Sequence, residues 1–236
     1  MRKITDRILN MLYPRRCVMC DAVLPGDGDG VCKACKQSVH IVTEPYCLKC
    51  GKMLERAQEE YCEDCLLHPH VYQSGRSLFV YDGPVKKSLY RFKYAGRKEY
   101  AKSYAHFTEL YLGEYIRQIQ PDALLPVPLH RKRYQRRGYN QSEVFAVELG
   151  PRMNIPVVTK MVQRVKNTLP QKELDLSERQ NNLKKAFKIN ENDVKLNTII
   201  IIDDIYTTGS TIDALSAVLK EAGVQNIFFV TISGGR

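Results

Sequence analysis

The sequence lacks any apolar run that approaches the ~18 residues of a membrane-spanning helix. It also lacks the apolar stretch of a secretory signal near its start, where Ile4, Ile8 and Leu12 instead recur every four residues among charged side chains. This spacing predicts a short amphipathic helix over residues 1–13. We therefore expect a chain without an integral membrane segment and a cytoplasmic location, where thiols stay reduced and available to metal.

The chain has no unpaired cysteine. Its eight cysteines form four Cys-x-x-Cys pairs at a fixed step of 15 residues, namely Cys17, Cys20, Cys32, Cys35, Cys47, Cys50, Cys62 and Cys65. Each pair presents two thiolates at the spacing that suits tetrahedral Zn²⁺. A thioredoxin-like redox motif would come singly beside a βαβ unit, and a disulfide framework would need a secreted chain. The cysteines therefore predict a double zinc ribbon over residues 17–65 that holds two structural zinc ions.

The pattern leaves open which pairs share a zinc ion. Neighbouring pairs are the simplest arrangement: Cys17/Cys20 would join Cys32/Cys35, and Cys47/Cys50 would join Cys62/Cys65. A crossed arrangement uses the same ligands. Because a unit below ~70 residues rarely has enough apolar core, we expect the module to need its metal to fold.

The first 70 residues carry no net charge, since ten Lys/Arg balance ten Asp/Glu, and the formal net charge of +10 therefore lies in residues 71–236. Eight thiolates against two Zn²⁺ would make the ribbons acidic. We predict an N-terminal helix and double zinc ribbon over residues 1–70 and a second domain over residues 71–236. Because the ribbons lack a cationic surface for phosphate, a scaffold or a protein-docking surface is the better interpretation.

Strand and helix patterns alternate along the second domain. The clearest buried strand is 197–203, and the helix after it ends at Gly223. Further strands are predicted at 77–81, 122–129, 155–158, 161–165 and 226–232, and helices at 85–93, 99–119, 140–150 and 211–222, with a basic loop at 130–139. This order predicts an α/β domain with a mostly parallel sheet.

Residues 199–211, IIIIDDIYTTGST, join an apolar strand to a helix through a short polar loop. Ligands of open α/β sheets bind at the carboxyl ends of strands. Asp203 and Asp204 are positioned to accept hydrogen bonds from two ribose hydroxyls, and the loop N–H groups to wrap a phosphate. The phosphate-binding candidates are Thr207, Thr208, Gly209, Ser210 and Thr211. The alternative is a helix cap beside surface aspartates.

This stretch resembles the phosphoribosyl-pyrophosphate (PRPP) signature of type I phosphoribosyltransferases. The whole chain resembles the ComF family of competence proteins, which includes ComFC and GntX-like proteins. The residues that carry the resemblance are the cysteine array after YPRR (13–16), FKYAGR (92–97), PVPLH (126–130), Arg133, RGYNQS (137–142), Gln171, Leu174, Arg179, Asn182, Ala186-Phe187 and DDIYTTGST (203–211).

The resemblance implies a mostly parallel sheet with helices on both faces, behind the ribbon module. It also implies that Asp203 and Asp204 are the catalytic pair, and that magnesium accompanies PRPP. The loop that binds pyrophosphate in the fold corresponds here to Arg131, Lys132, Arg133, Arg136 and Arg137, whose charges suit a polyanion. Its flexible hood corresponds to residues 164–182, with Arg164, Lys166, Lys172 and Arg179 available.

One residue departs from the purine phosphoribosyltransferases of this fold. They place a carboxylate two residues before the loop glycine, where this sequence has Thr207. The motifs therefore support PRPP-type binding better than turnover, although transfer that depends on positioning and pyrophosphate stabilisation would survive this loss. Enzymatic activity is accordingly left open.

The resemblance implies a late competence protein of natural transformation. Such a protein would handle incoming single-stranded DNA on the cytoplasmic side with a helicase-like ATPase of the ComFA type, recruited to the inner face of the membrane at the uptake machinery. Lysines and arginines between 86 and 102 interleave with Tyr90, Phe92, Tyr94, Tyr100 and Tyr104, a composition suited to single strands. A helix with core aromatics is an equal alternative for this segment. The alternative for the whole protein is a metabolic phosphoribosyltransferase with a small acceptor.

Overall fold

The computed structural model describes residues 14–25, 28–165, 186–190 and 196–235. The predicted N-terminal helix lies outside the described residues. So do all of the predicted hood except residues 164 and 165, and with it the four motif residues between Gln171 and Asn182.

Within the described ranges, helices and strands are numbered in chain order. The helices are α1 (Lys33–Ser38), α2 (Glu63–Leu67), α3 (Gly83–Tyr94), α4 (Tyr100–Ile119), α5 (Arg131–Arg137), α6 (Gln141–Met153) and α7 (Ser210–Glu221). The strands are β1 (Ser74–Val80), β2 (Ala123–Pro126), β3 (Val162–Arg164), β4 (Phe187–Ile189), β5 (Thr198–Tyr206) and β6 (Asn226–Gly234).

Four strands form one parallel sheet in the order β1-β6-β5-β2. The isoleucines of β5 alternate between its two faces. Ile200 and Ile202 pack in one core with residues of α3, α4 and α6, whereas Ile199 and Ile201 pack in a second core with residues of α7. Helices therefore cover both faces, which confirms the predicted fold class and explains why β5 reads as a continuous apolar run.

The basic segment 130–139, predicted as a loop, contains the helix α5 instead. His130 caps its start by accepting a hydrogen bond from the Lys132 N–H, and Gly138 closes its end with a φ of +78°. Arginine, lysine and glutamine are good helix formers, so two caps suffice for a short helix. The seven residues have no apolar stripe, and periodicity therefore gave no indication of the helix.

Two smaller predictions also differ from the structure. The strand predicted at 155–158 is reduced to a single bridge between Val157 and Leu124. The strand predicted at 161–165 is β3, which pairs with the unpredicted β4 in an antiparallel ribbon. Segments of three residues are too short to show a clear alternation.

The first zinc ribbon shares the apolar core of the sheet. Val18 and Met19 are buried in the same core as α3 and α4. Asp21 accepts hydrogen bonds from the guanidinium of Arg97 at 2.7 Å and the hydroxyl of Tyr100 at 2.6 Å. These contacts join the ribbon to the helices on one face of the sheet.

The second ribbon packs with the opposite face. Cys47 and Cys50 are fully buried in the core that contains Tyr206 and Phe229. The Gly75 N–H donates to the Lys49 carbonyl at 2.9 Å, which ties the ribbon to β1. The domain boundary at residue 70 remains a prediction, but the described residues on its two sides share both cores.

No helix within the described ranges is both long and apolar enough to cross a lipid bilayer.

Candidate functional site

The cysteines form two separate clusters, and the neighbouring pairs share each one. Cys17, Cys20, Cys32 and Cys35 form the first cluster, and Cys47, Cys50, Cys62 and Cys65 form the second, with the sulfur atoms of each cluster within 4.8 Å of one another. The Cys20 and Cys32 sulfurs lie 3.8 Å apart, and those of Cys50 and Cys62 lie 3.6 Å apart. Zn–S bonds of about 2.3 Å in a tetrahedron place sulfurs about 3.8 Å apart. Both clusters therefore fit a structural zinc ion.

The paired aspartates lie where β5 extends beyond its neighbour β2. The ladder between these strands ends at Pro126 and Ile202, whereas β5 continues beside β6 as far as Tyr206. Asp203 and Asp204 therefore stand at the carboxyl end of the sheet, in the position that the sequence predicts. This is the edge at which open α/β sheets bind ligands.

Each aspartate has a specific partner from a helix. The Asp204 carboxylate is buried and forms an ion pair with Lys93 of α3 at 2.7 Å. The Asp203 carboxylate accepts hydrogen bonds from the Ser142 hydroxyl of α6 and from the Asp204 N–H, both at 2.8 Å. Burial raises the pKa of Asp203 to about 6, as does the adjacent Asp204 carboxylate, against the opposing effect of these hydrogen bonds and of Lys93.

Ser142 is itself held in place by the start of α6. The Asn140 side chain accepts a hydrogen bond from the Ser142 N–H at 3.2 Å and donates to the Val127 carbonyl at 3.0 Å. A single buried amide thus caps α6 and fastens it to the segment that follows β2. This arrangement fixes the hydroxyl that contacts Asp203.

Residues 207–211, which we call the phosphate loop after its predicted ligand, connect β5 to α7. Thr207 and Thr208 are exposed, and the Thr208 and Ser210 hydroxyls lie 2.8 Å apart. Gly209 has a φ of +76° and immediately precedes α7, whose first N–H groups have no partner within the helix. The loop therefore combines hydroxyls with the positive end of a helix dipole, as an anion site requires.

Two side chains of the protein pack closely against Gly209 and leave no space for a β-carbon there. A β-carbon there would lie 2.8 Å from the Tyr206 hydroxyl and 3.2 Å from Cε1 of His70. His70 lies outside the candidate set that the sequence predicts.

The basic cluster occupies the helix after β2. Arg131, Lys132 and Arg136 are exposed on α5, and Arg133 is partly buried. Arg137 donates hydrogen bonds to the Gln141 side chain at 2.8 Å and the Tyr94 hydroxyl at 3.1 Å. Arg137 therefore connects α5 to α6 and α3.

Arg164 of β3 connects the basic cluster electrostatically to the aspartates. Burial lowers the pKa of the Arg164 guanidinium, and the positive charge of Arg133 lowers it further, whereas the Asp203 carboxylate opposes both effects. Arg133 and Asp203 thus lie within electrostatic range of the same guanidinium. Of the cations in the predicted hood, Arg164 is the one that falls within the described residues.

An exposed aromatic pair adjoins α5. The Tyr90 and Tyr94 rings of α3 lie 5.2 Å apart and are both exposed. The Arg136 and Arg137 guanidinium groups lie 5.5 Å and 5.0 Å from the centre of the Tyr94 ring. We call Tyr90, Tyr94, Arg136 and Arg137 the tyrosine–arginine patch. The other interleaved aromatics, Phe92, Tyr100 and Tyr104, are buried in the core.

Three residues of this region, Lys93, Ser142 and His70, are absent from the ribose-phosphate and phosphate-binding candidates that the sequence predicts. Lys93 and Ser142 lie inside the FKYAGR and RGYNQS segments, and the family resemblance of these segments could have identified both as candidate site residues. His70 stands in no motif, and only its contacts identify it.

Comparisons with known proteins agree with this architecture. Residues 8–66 match the family model described as "Double zinc ribbon domain", and residues 139–235 match the one described as "Phosphoribosyl transferase domain". Fold and site thus define a phosphoribosyltransferase-type domain that carries a double zinc ribbon.

Relatives match over nearly the whole chain. "Competence protein F" of Haemophilus influenzae is 31% identical over 217 residues, which cover 90% of this chain and 93% of that protein. "DNA utilization protein YhgH" of Salmonella typhimurium is 29% identical, with 92% of this chain and 96% of that protein covered. "Competence protein ComFC" of Bacillus subtilis is 25% identical, with 88% and 89% covered. The chain belongs to the ComF family of competence proteins.

Proposed function

We propose that this chain is a late competence protein that handles incoming single-stranded DNA on the cytoplasmic side of the membrane and holds a ribose phosphate in its phosphoribosyltransferase-type site. Three relatives over nearly the whole chain, two competence proteins and one DNA utilization protein, support the competence role. The tyrosine–arginine patch is the observation that carries the DNA assignment.

The ribose-phosphate site consists of the aspartates and the phosphate loop. The contacts to Lys93 and Ser142 use Oδ1 of each aspartate, and we assign Oδ2 of Asp203 and Asp204 to the two ribose hydroxyls of PRPP or ribose 5-phosphate. The hydroxyls and N–H groups of the loop would hold the 5-phosphate. Magnesium would enter with the pyrophosphate of PRPP, whose charge the cations Arg131, Lys132, Arg133 and Arg137 would balance.

The residues of the phosphate loop favour binding of PRPP or ribose 5-phosphate without transfer to a purine. Thr207 offers a hydroxyl where purine transferases of the fold have a carboxylate, so no general base stands in that position. Release of pyrophosphate from PRPP only when one nucleobase is added would identify the alternative, a metabolic phosphoribosyltransferase.

Single-stranded DNA would contact the tyrosine–arginine patch. Bases stack on exposed aromatic rings, and arginines attract the phosphates, so the two residue types together bind strands with little sequence preference. Tyr94 follows Lys93, the partner of Asp204. A strand on the patch would therefore run beside the ribose-phosphate site.

Fluorescence anisotropy with a labelled oligo-dT tests the patch in the full-length zinc-loaded protein. Tyr90→Ala with Tyr94→Ala should weaken binding at least about tenfold, since each stacked base contributes about 1–3 kcal/mol. Tyr111→Ala, which removes an exposed tyrosine of α4, is the matched control and should bind normally. Equal affinity of the double variant and the control would refute the assignment.

The competence role is tested in the source strain. A deletion should leave DNA uptake intact and abolish transformation, and a gene with Asp203→Ala and Asp204→Ala should fail to restore it. Full restoration by that gene would show that the ribose-phosphate site is dispensable for transformation.

The second ribbon would recruit the helicase-like ATPase of the ComFA type and thereby bring the protein to the uptake machinery. Leu66 and Leu67 at the end of α2 are 71% and 66% exposed, beside the acidic Glu63 and Asp64. Exposed leucines with adjacent carboxylates suit a partner segment that is apolar and basic. Leu66→Ala with Leu67→Ala should abolish co-purification of the ATPase. Leu110→Ala, at a 62% exposed leucine of α4, should not.

A further inference from the structure

Three consecutive residues between the second ribbon and β1 contact the flanks of the phosphate loop. Nδ1 of His70 lies 2.6 Å from Oδ2 of Asp213, and the Val71 N–H donates to Oδ1 of the same carboxylate at 2.9 Å. The Tyr72 hydroxyl lies 2.8 Å from that of Tyr206. Asp213 lies in the first turn of α7 and Tyr206 ends β5. Residues 70–72, the ribbon joint, thus hold both ends of the loop.

The His70 ring fills the space against the loop glycine. The side chain is 4% exposed, and its ring stacks on Tyr72 with the centroids 4.8 Å apart. Its Cε1 is the atom that a β-carbon at Gly209 would approach to 3.2 Å. Displacement of the ring would therefore remove one of the two side chains, His70 and Tyr206, that pack against the loop glycine.

The contact with Asp213 also defines which ring nitrogen of His70 carries a proton. A carboxylate accepts hydrogen bonds, so Nδ1 carries the proton. Nε2 is buried and has no hydrogen-bond partner among the described residues. A buried nitrogen without a partner disfavours folding, so stability alone does not explain a histidine here.

The joint is fixed in turn by the second cysteine cluster. Lys49 stands between Cys47 and Cys50, and its ammonium group donates to the Tyr72 carbonyl. The same ammonium lies 5.3 Å from the centre of the Tyr72 ring. The zinc-binding turn therefore contacts the residue that holds Tyr206, and a chain of contacts runs from the cluster to the loop.

We propose that His70 is a positioning residue for the phosphate loop, so that the second zinc ribbon sets the affinity of the loop for its phosphorylated ligand. This role rests on the proposed ribose-phosphate function. His70 acts through Asp213 and Gly209, which orient the N–H groups at the start of α7. The ribbon is then a part of the ligand site as well as a surface for partners.

Three variants of the full-length zinc-loaded protein test the role. His70→Ala removes both the ring and the donor to Asp213, whereas His70→Asn keeps an amide donor near the position of Nδ1. Gln73→Ala is the matched control, because Gln73 stands in the same segment and hydrogen-bonds to Gln225 and Ile227 rather than to the loop.

Two measurements are made on each variant: titration calorimetry with PRPP and Mg²⁺, and hydrogen exchange of a peptide that covers the loop. His70→Ala should weaken PRPP binding about tenfold or more, the equivalent of about 1.4 kcal/mol, and accelerate exchange in the loop. His70→Asn should restore most of the affinity and protection. Gln73→Ala should match the wild type in both.

Wild-type affinity and unchanged loop exchange in His70→Ala would overturn the inference, and so would an equal loss of affinity in Gln73→Ala. Absence of PRPP binding by the wild type would instead refute the ribose-phosphate function. The exchange data then still test the positioning role of His70. Faster loop exchange in His70→Ala, with Gln73→Ala unchanged, supports that role for another ligand, and unchanged exchange in His70→Ala overturns it.

Discussion

At the scale of single residues, Asp203 and Asp204 have opposite electrostatic surroundings although they are adjacent. Asp204 has a cation at 2.7 Å, whereas Asp203 has a hydroxyl, an N–H group and the neighbouring carboxylate. Because burial and that carboxylate raise the pKa of Asp203 to about 6, its ionisation opposes folding. A buried carboxylate that lowers stability in this way is typical of a functional site, where the proposed ligand would need the charge.

This shift predicts a pH-dependent effect of Asp203→Asn. The folded-state pKa lies above the ordinary value of 3.8, so the folded protein binds the proton more tightly and loses stability as pH rises from about 4 to about 6. The asparagine variant avoids this loss. Its free energy of unfolding should exceed that of the wild type by about 1–3 kcal/mol near pH 7.5 and converge with it near pH 4.

Urea denaturation across this range measures the difference. Asp122→Asn is a control of opposite sign, because N–H groups of Thr198 and Asn197 lower the pKa of Asp122. That variant should lose stability relative to the wild type as pH rises. A gain for Asp203→Asn that does not vary with pH would contradict the electrostatic explanation.

Gly209 supports a second prediction at this scale. An alanine there would combine a φ of +76° with a β-carbon 2.8 Å from the Tyr206 hydroxyl. Gly209→Ala should cost about 1–3 kcal/mol of stability and abolish PRPP binding. Gly223→Ala at the end of α7 also has a positive φ, of +93°, but meets no atom within 4 Å. This control should bind PRPP normally, as calorimetry would show.

At the scale of elements, α5 supplies cations to both proposed ligands, the pyrophosphate of PRPP and single-stranded DNA. Its sequence is RKRYQRR, with Arg131 and Arg136 exposed and Arg137 bound to α6 and α3. The helix holds these cations on one rigid unit, which a loop would not do. Exposed cations contribute to DNA affinity through release of counterions, and this contribution depends on salt.

Neutralising two cations of α5 should therefore flatten the salt dependence of DNA binding. Arg131→Gln with Arg136→Gln should lower the slope of log affinity against log salt by about 1.4, from about 0.7 for each contact to a single strand. Lys33→Gln with Lys220→Gln changes the net charge equally at exposed sites outside α5 and serves as the control. An equal change in the control would point to net charge rather than to α5.

At the scale of the whole molecule, the zinc ribbons belong to the cores of the sheet. The first ribbon packs against α3 and α4, and the second packs in the core with α7 and β6. If loss of a metal unfolds its ribbon, apolar surface of the sheet and its helices would become exposed. The protein should unfold in one transition rather than in two.

Metal analysis and calorimetry test this conclusion. The native protein should hold two zinc ions, one for each four-cysteine cluster, and Cys50→Ser should hold one. Because Cys50 is fully buried, the variant should also melt at a lower temperature as a whole. A native-like melting transition after the loss of that zinc would show that the ribbon is energetically independent.

The features that could be predicted from the sequence are those that a short stretch of residues specifies by itself. The cysteine pairs, the apolar β5 and the loop at 207–211 are local patterns, and their elements lie where the patterns place them. The helix α5 was missed because charged residues alone show no periodicity. The strand β4 was missed because it has only three residues.

The sequence by itself determined the fold class, the cysteines that form the two four-cysteine clusters and the position of the loop after β5, because each depends on residues spaced by a few positions. The tertiary structure decided which pairs share a cluster and which side chains meet at the sheet edge. The contacts of Lys93 with Asp204, Ser142 with Asp203 and His70 with Asp213 join residues that are distant in the chain, the last by 143 positions. Such residues come together only when the chain folds, so the spacing of neighbouring residues in the sequence could not predict these contacts.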